Sequence, residues 1–167
     1  MTIELPKVIR DFTSFQDGVG LAGRCEEATI PDVDFVTEEH TAGGMGGTVD
    51  IWMGLMAKME SEITLTGMSS SFTKQLGKPD GTMTHRGDLS DGTVTEAAIF
   101  QMRGLFKKGT FGSMKRKDKG QTKIMASLTY FKATIGGREV VEIDVINKVC
   151  RIDGVDRFAE SRAALGA

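Results

Sequence analysis

Apolar and polar residues alternate at every second position along much of the chain, and that period of two predicts strands. In "MESEITLTG" (59–67), Ile63 and Leu65 alternate with Glu62, Thr64 and Thr66, giving one apolar and one polar face. "TVDIWMGLMA" (48–57) precedes it and reads as its hairpin partner, with the turn near residues 56–59. "GTVTEAAIFQMRGLF" (92–106) and "QTKIMASLTYFKATI" (121–135) are two longer runs. "REVVEIDVIN" (138–147) follows the tight-turn signal "IGG" and sets Val141, Ile143 and Val145 on one face. "FTSFQDG" and "GRCEEATIP" flank a glycine turn and read as a first hairpin.

Two short helices are expected beside these strands. "SSSFTKQLGKP" (69–79) has serine caps, Phe72 and Leu76 four apart, and Gly77 and Pro79 as stop signals. "DGVDRFAESRAALG" (153–166) has Asp153 as a candidate N-cap. It sets Val155, Phe158, Ala159 and Leu165 on one face, so Phe158 and Leu165 should be buried. Arg162 falls near that face, where it would snorkel or meet another subunit. Residues 77–93 are the most loop-like part. No repeat or linker divides the chain, so a single, mainly β domain over 1–167 is expected, a sandwich or partial barrel with flanking short helices.

Composition adds constraints. The chain has 167 residues, 40% of them apolar and 26% charged, which suits one globular core. Its twenty-one glycines against three prolines imply many turns or close backbone approaches. No apolar run reaches the ~20 residues of a membrane-spanning helix, and "MTIELPKVIRDF" lacks the apolar core of a signal peptide, so synthesis in the cytosol is expected. Cys25 and Cys150 form no metal-type spacing and are expected as reduced thiols. Net charge is −2, but residues 1–66 hold twelve acidic and four basic residues, whereas residues 103–123 hold eight basic and one acidic. Such polarity suggests an anionic partner or self-assembly of acidic face on basic face.

Catalytic signatures are weak. "GVGLAG" (18–23) matches G-x-G-x-x-G, but a half-polar stretch precedes it and Pro31 soon follows, so it reads as a turn after Asp17-Gly18 rather than a nucleotide cradle. His40 and His85 lack metal-ligand spacing and read as surface or loop histidines. "EID" (142–144) puts two carboxylates on one strand face, where a salt bridge or solvation is the simpler role. Met45, Met53, Met56 and Met59 read as packing or adaptable contact surface. No enzyme, cofactor or metal site is expected. The basic stretch 107–123 is the best nucleic-acid candidate, but contact with an acidic neighbouring copy is favoured.

Three stretches carry a family resemblance: "FTSFQDGVGLAGRCEEATIPDV" (12–33), "TAGGMGGTVDIWMGLMAKMESEITLTG" (41–67) and "LTYFKATIGGREVVEIDVINKVCRIDGVDRFAESRAALG" (128–166). Together they resemble the major tail tube protein of temperate contractile-tailed phages, a family shared with R-type pyocins. The resemblance weakens over 77–93 and 107–120, and "EEHTAGGM" lacks the arginine that commonly precedes the glycines. It implies a tail-tube fold whose subunits form hexameric rings with an inner β-barrel. The rings stack into a tube within a sheath, joined to baseplate and tail terminator proteins. The tube is assembled in the bacterial cytoplasm and carried in the virion. On contraction it is driven through the host envelope, touches the membrane through the tail tip, and conducts DNA without sequence-specific binding, or depolarises the membrane in a pyocin. A secretion-system tube and a small DNA-binding β module are the alternatives.

On that reading, Gly43, Gly44, Met45, Gly46 and Gly47 form a loop contacting an adjacent subunit or ring. Glu60, Glu62 and Thr64 face the lumen, and Lys115, Arg116, Lys117 and Lys119 make charged ring contacts. Four strands from each of six copies, tilted near 40°, would close a barrel with a bore of roughly 38 Å, wide enough for duplex DNA.

Overall fold

The computed structural model describes residues 6–68, 70 and 73–166. Its twelve strands are β1 (Val8–Gln16), β2 (Val19–Gly20), β3 (Cys25–Ala28), β4 (Phe35–His40), β5 (Val49–Met56), β6 (Met59–Thr66), β7 (Gly81–Ser90), β8 (Thr95–Thr110), β9 (Gln121–Ile135), β10 (Arg138–Asp144), β11 (Val149–Ile152) and β12 (Val155–Asp156). One helix, α1 (Ala159–Leu165), follows them. The mainly β expectation holds.

The β8–β9 hairpin belongs to two layers at once. Its far half, Thr95–Gly104 with 130–135, continues into β7, β1 and β2 on one side and β10, β11 and β12 on the other. Its near half, 105–110 with 121–128, continues through β6 into β3. Register shifts at Arg103/Gly104 and Phe106/Lys108 mark where the hairpin bends from one layer into the other. One buried cluster joins the layers: Ile63, Leu65, Ile124 and Leu128 from the smaller, and Met83, Met102, Phe131, Ile143 and Cys150 from the larger. The bend requires glycine. A Cβ at Gly104 would lie 2.1 Å from the Ser127 carbonyl oxygen and 2.7 Å from Leu128 Cα. Phe106 fills the space that a Cβ at Gly81 would need, 1.9 Å from its ring.

Turn chemistry follows sequence closely. Asp17-Gly18, Gly136-Gly137 and Asp153-Gly154 each join paired strands through two residues with positive φ, the twist that suits a two-residue hairpin. "GVGLAG" is thus the hairpin turn its flanks suggested, although β3 pairs with β6 rather than with β1.

Several expectations are corrected. β5 and β6 do not form a hairpin: β5 pairs with β4, and β6 with β3 and β9, so the chain changes sheet between them. The loop expected at 77–93 contains the ten-residue strand β7, bonded on both sides by β1 and β8. Its inward positions include His85, whose polarity hid the alternation. The helix expected at 69–79 lies partly outside the described residues (Ser69, Ser71 and Phe72); residues 73–77 of the described part form turns. The last helix starts late because Asp153-Gly154 makes a hairpin turn. Asp156, not Asp153, accepts from the Phe158 N–H (3.0 Å) and from Arg162 (2.5 Å). Phe158 is buried as expected, but Leu165 is 69% exposed.

His85 is buried rather than on a loop. Its Nδ1 lies 2.8 Å from Ser14 Oγ, its cross-strand neighbour, and its Nε2 has no hydrogen-bond partner among the described residues. Burial favours the neutral ring and lowers its pKa from 6.5 to about 4. The unfolded chain therefore binds the proton first as pH falls. The resulting stability is complete above about pH 6.5 and is lost on acidification towards about pH 4, by up to about 3 kcal/mol. Denaturant titrations across this window should show the decline in the parent and a flattened profile in His85→Leu. Gly104→Ala should cost about 1–3 kcal/mol by overpacking. Gly87→Ala, whose Cβ would meet only Ala98 Cβ at 3.9 Å, should be nearly neutral. Equal melting temperatures for the two alanine variants would contradict the close crossing.

Candidate functional site: an open four-stranded layer and a projecting ribbon

The smaller layer runs β3–β6–β9–β8 and leaves both outer edges without a strand. β3 pairs with β6 alone. Beyond the Gly81–Gly104 pair, the outer edge of β8 receives one backbone bond among the described residues, from Gly77 N–H to the Phe106 carbonyl (3.0 Å). Rows of free N–H and C=O groups at such edges are templates for another chain.

Alternation divides this layer into two faces. Met59, Ser61, Ile63 and Leu65 of β6 point into the core with Thr122, Ile124, Ala126 and Leu128 of β9. Glu60, Glu62 and Thr64 take the opposite face with Lys123 of β9, joined there by Lys107 of β8. Glu60 pairs with Lys58 (2.6 Å) and with Lys107, and Glu62 pairs with Lys123 at 3.0 Å. Lys107, then Lys58, hold the Glu60 carboxyl at about 2, well below its usual 4.5. Glu26 joins them, accepting from Thr66 and from Gln121 (2.9 Å). Thr64 is only 5% exposed, between its register partners Glu27 and Lys123. Acids and bases thus alternate across the outer face. Lys107 and Lys123 are the two ends of the basic stretch 107–123, and the sequence does not show that they pair with Glu60 and Glu62 within the subunit.

The second feature is the β4–β5 ribbon, a two-stranded sheet of its own. Val49, Ile51, Trp52, Met53 and Leu55 are all exposed on it. The Trp52 ring stacks on Phe158 (5.4 Å between centroids) and meets Phe35 edge-on (5.3 Å), which ties the ribbon base to the end of the larger layer. At the far end, Thr41 and Thr48 hydroxyls lie 2.8 Å apart and the Met45 N–H reaches the Ala42 carbonyl (3.2 Å). Cβ atoms on Gly43, Gly44, Gly46 or Gly47 would meet nothing within 4 Å, so packing inside the subunit does not demand these glycines, although the positive φ of Gly44 (88°) favours glycine there. Glu39 and Asp50 sit directly opposite each other on the two strands, with Glu38 beside them.

The basic tip, residues 111–120, closes the β8–β9 hairpin. Its turn is held by Asp118 N–H to the Lys115 carbonyl (3.2 Å) and Gly120 N–H to Asp118 (3.1 Å). Lys115, Arg116, Lys117 and Lys119 are exposed there. The carboxylates of "EID" have local partners: Glu142 binds Arg151 (2.6 Å) and Tyr130 (3.1 Å), and Asp144 accepts from the Asn147 N–H (2.9 Å). Among the described residues no His/Cys/Asp/Glu group could hold a metal ion, and no helix is long and apolar enough to cross a membrane.

Comparison with known proteins agrees with this architecture. Residues 6–166 match the family described as phage tail tube protein FII. The chain is 28% identical over 171 residues to the tail tube protein of Escherichia phage P2, covering 97% of this chain and 98% of that one. It is 26% identical to the major tail tube protein of Serratia phage KSP20, covering 93% of each. Two solved structures share the fold. One is a chain of the extended sheath-tube complex of PVC, an extracellular contractile injection system (TM-score 0.61, 11% identity, 79% of this chain and 93% of that one). The other is a chain of the anti-feeding prophage tube-terminating cap (TM-score 0.57, 13% identity, 81% and 93%).

The ribbon anchor is directly testable. Phe158→Ala removes a fully packed ring and should cost about 3–5 kcal/mol. It should also raise the rate of limited proteolysis between residues 41 and 48. Leu165→Ala should stay within about 0.5 kcal/mol of the parent in the same denaturation assay.

Proposed function

The chain belongs to the phage tail tube protein FII family, and on that premise we propose how it builds the inner tube of a contractile tail. Six copies close into a ring when the β3 edge of one smaller layer pairs with the β8 edge of the next. Rings then stack into a hollow tube. The observation that carries this reading is a four-stranded layer with two open edges, one apolar face on its own core and one polar face. Closure satisfies the edges that a lone subunit leaves bare. Twenty-four strands accommodate a bore of roughly 38 Å, as the strand spacing and tilt require.

The lumen is then lined by the face of Glu60, Glu62 and Thr64, with Lys107 and Lys123 interleaved. Alternating signs suit passage of DNA, because a uniformly basic wall would release many counterions and hold the phosphates. The loop around Gly43, Gly44, Met45, Gly46 and Gly47 reaches an adjacent subunit or ring; its open surroundings support that role. The exterior meets a sheath, and the ends meet baseplate and terminator proteins. The protein works as a wall in the virion after assembly in the host cytoplasm, and no catalytic step enters.

Electron microscopy of the purified protein should show rings or tubes with a bore of several tens of ångströms. A Cys25→Ser background carrying Glu27→Cys and Lys108→Cys, treated with a bismaleimide, should give a ladder ending at six chains. A monodisperse monomer, or a ladder ending at two, would overturn ring closure through these edges. A tube structure with Glu60 and Glu62 far from the bore would reject the lumen assignment.

A further inference from the structure

We infer that rings interlock through charge: the acidic β4–β5 ribbon of one copy receives the basic β8–β9 tip of a copy in the next ring. The proposal rests on the tube reading and adds which two surfaces meet and what chemistry joins them.

Charge is the first observation. The ribbon and its loop, residues 35–56, contain Glu38, Glu39 and Asp50 and no lysine or arginine, a net of −3. The tip, residues 111–120, contains Lys115, Arg116, Lys117 and Lys119 against Asp118, a net of +3. Glu39 and Asp50 are directly opposed across the ribbon, an arrangement that destabilises an isolated strand pair. None of these three acids and four bases forms an ion pair among the described residues. By contrast, Glu60, Glu62, Glu139, Glu142 and Asp156 all have a cation within the subunit. Other charges also lack an ion pair among the described residues, Asp32, Asp34, Arg24 and Arg86 among them; the ribbon and the tip differ in gathering three acids and four bases on two projections.

Placement is the second. In the antiparallel β6–β9 pair, Thr66 lies opposite Gln121, next to the tip, and Met59 lies opposite Leu128, away from it. The ribbon's last residue, Met56, enters β6 at the Met59 end. Ribbon base and basic tip therefore leave opposite ends of one layer, about 25 Å apart along eight residues of strand. The acids lie towards the loop end of the ribbon; in the interlock a copy stacked on that side brings its tip to them, a head-to-tail contact that extends without closing. The exposed Val49, Ile51 and Met53 supply apolar surface on the ribbon face that carries Glu38, opposite to Glu39 and Asp50, and Met114 and Phe111 flank the bases. Each ion pair is weak alone, but the ring repeats the contact in every copy.

Reciprocal charge reversal tests the interlock. The tip variant carries Lys115→Glu, Arg116→Glu, Lys117→Glu and Lys119→Glu. The ribbon variant carries Glu38→Lys, Glu39→Lys and Asp50→Lys. Each alone should form rings, retain the parent's circular dichroism, and lose tube growth at least tenfold by light scattering. Mixing rings of the two should restore growth, because each ring then offers what the other lacks. Parent growth should slow as salt rises from about 0.05 to about 0.5 M, where the screening length falls from roughly 14 Å to roughly 4 Å. Tubes from either variant at the parent's rate would overturn the interlock and leave the tube reading intact. Variant rings that remain single when mixed would do the same. Normal tubes with lost binding of a duplex DNA probe by the tip variant would assign the tip to nucleic acid instead. A parent that forms neither rings nor tubes would remove the tube reading, and the interlock with it.

Discussion

Both layers depend on one close crossing of backbone. β8 and β9 serve two layers of one sheet only because they bend together, and at the bend the Ser127 carbonyl occupies the place of a side chain on Gly104. A straight hairpin would extend a single open sheet with one face bare. The bent one folds that sheet over, so that Ile124 and Leu128 of its near half meet Met102 and Phe131 of its far half in a common core. The bend also sets the near half apart with β6 and β3 as a separate layer. Everything assigned to assembly follows from that separation: the two bare edges, the outer polar face, and the tip that the hairpin carries beyond the core.

The legible parts of the fold are those in which local chemistry and tertiary demand agree. Ile63 and Leu65 are buried and Glu60 and Glu62 face away, because β6 covers a core on one side only. Gly136-Gly137 turns where its dipeptide says it should. β7 was hidden because its strand bonds come from both neighbours, which satisfies its backbone whatever the side chains prefer. His85 hid it further, being a polar residue at an inward position with its Nδ1 on Ser14. The ribbon misled for a different reason. β5 and β6 are adjacent in sequence with the right alternation, and no local signal states that the chain leaves one sheet for another between Met56 and Met59.

The candidate site was partly legible. Glu60, Glu62 and the glycine loop could be named from alternation and composition, but their surroundings could not. Lys107 lies forty-seven positions from Glu60, and Trp52 reaches Phe158 across most of the chain. Such partners are products of topology. The three acids of the ribbon were visible singly, whereas the opposition of Glu39 to Asp50 depends on a register that the bulge between Phe35 and Thr37 helps to set.

Charge in this protein is divided by purpose. On the outer face of the smaller layer, Glu60 and Glu62 each have a base beside them, and the field around them is short-ranged because the signs alternate within a few ångströms. Charges neutralised in pairs give that face little net attraction or repulsion for a polyanion. On the ribbon and the tip the charges are left open, and like signs are gathered together at a cost in ribbon stability. A lone two-stranded ribbon with exposed Ile51, Met53 and Leu55 is already marginal. Its instability as a free element and its fitness as a contact come from the same residues: groups that nothing in the subunit covers are those that a second copy can cover.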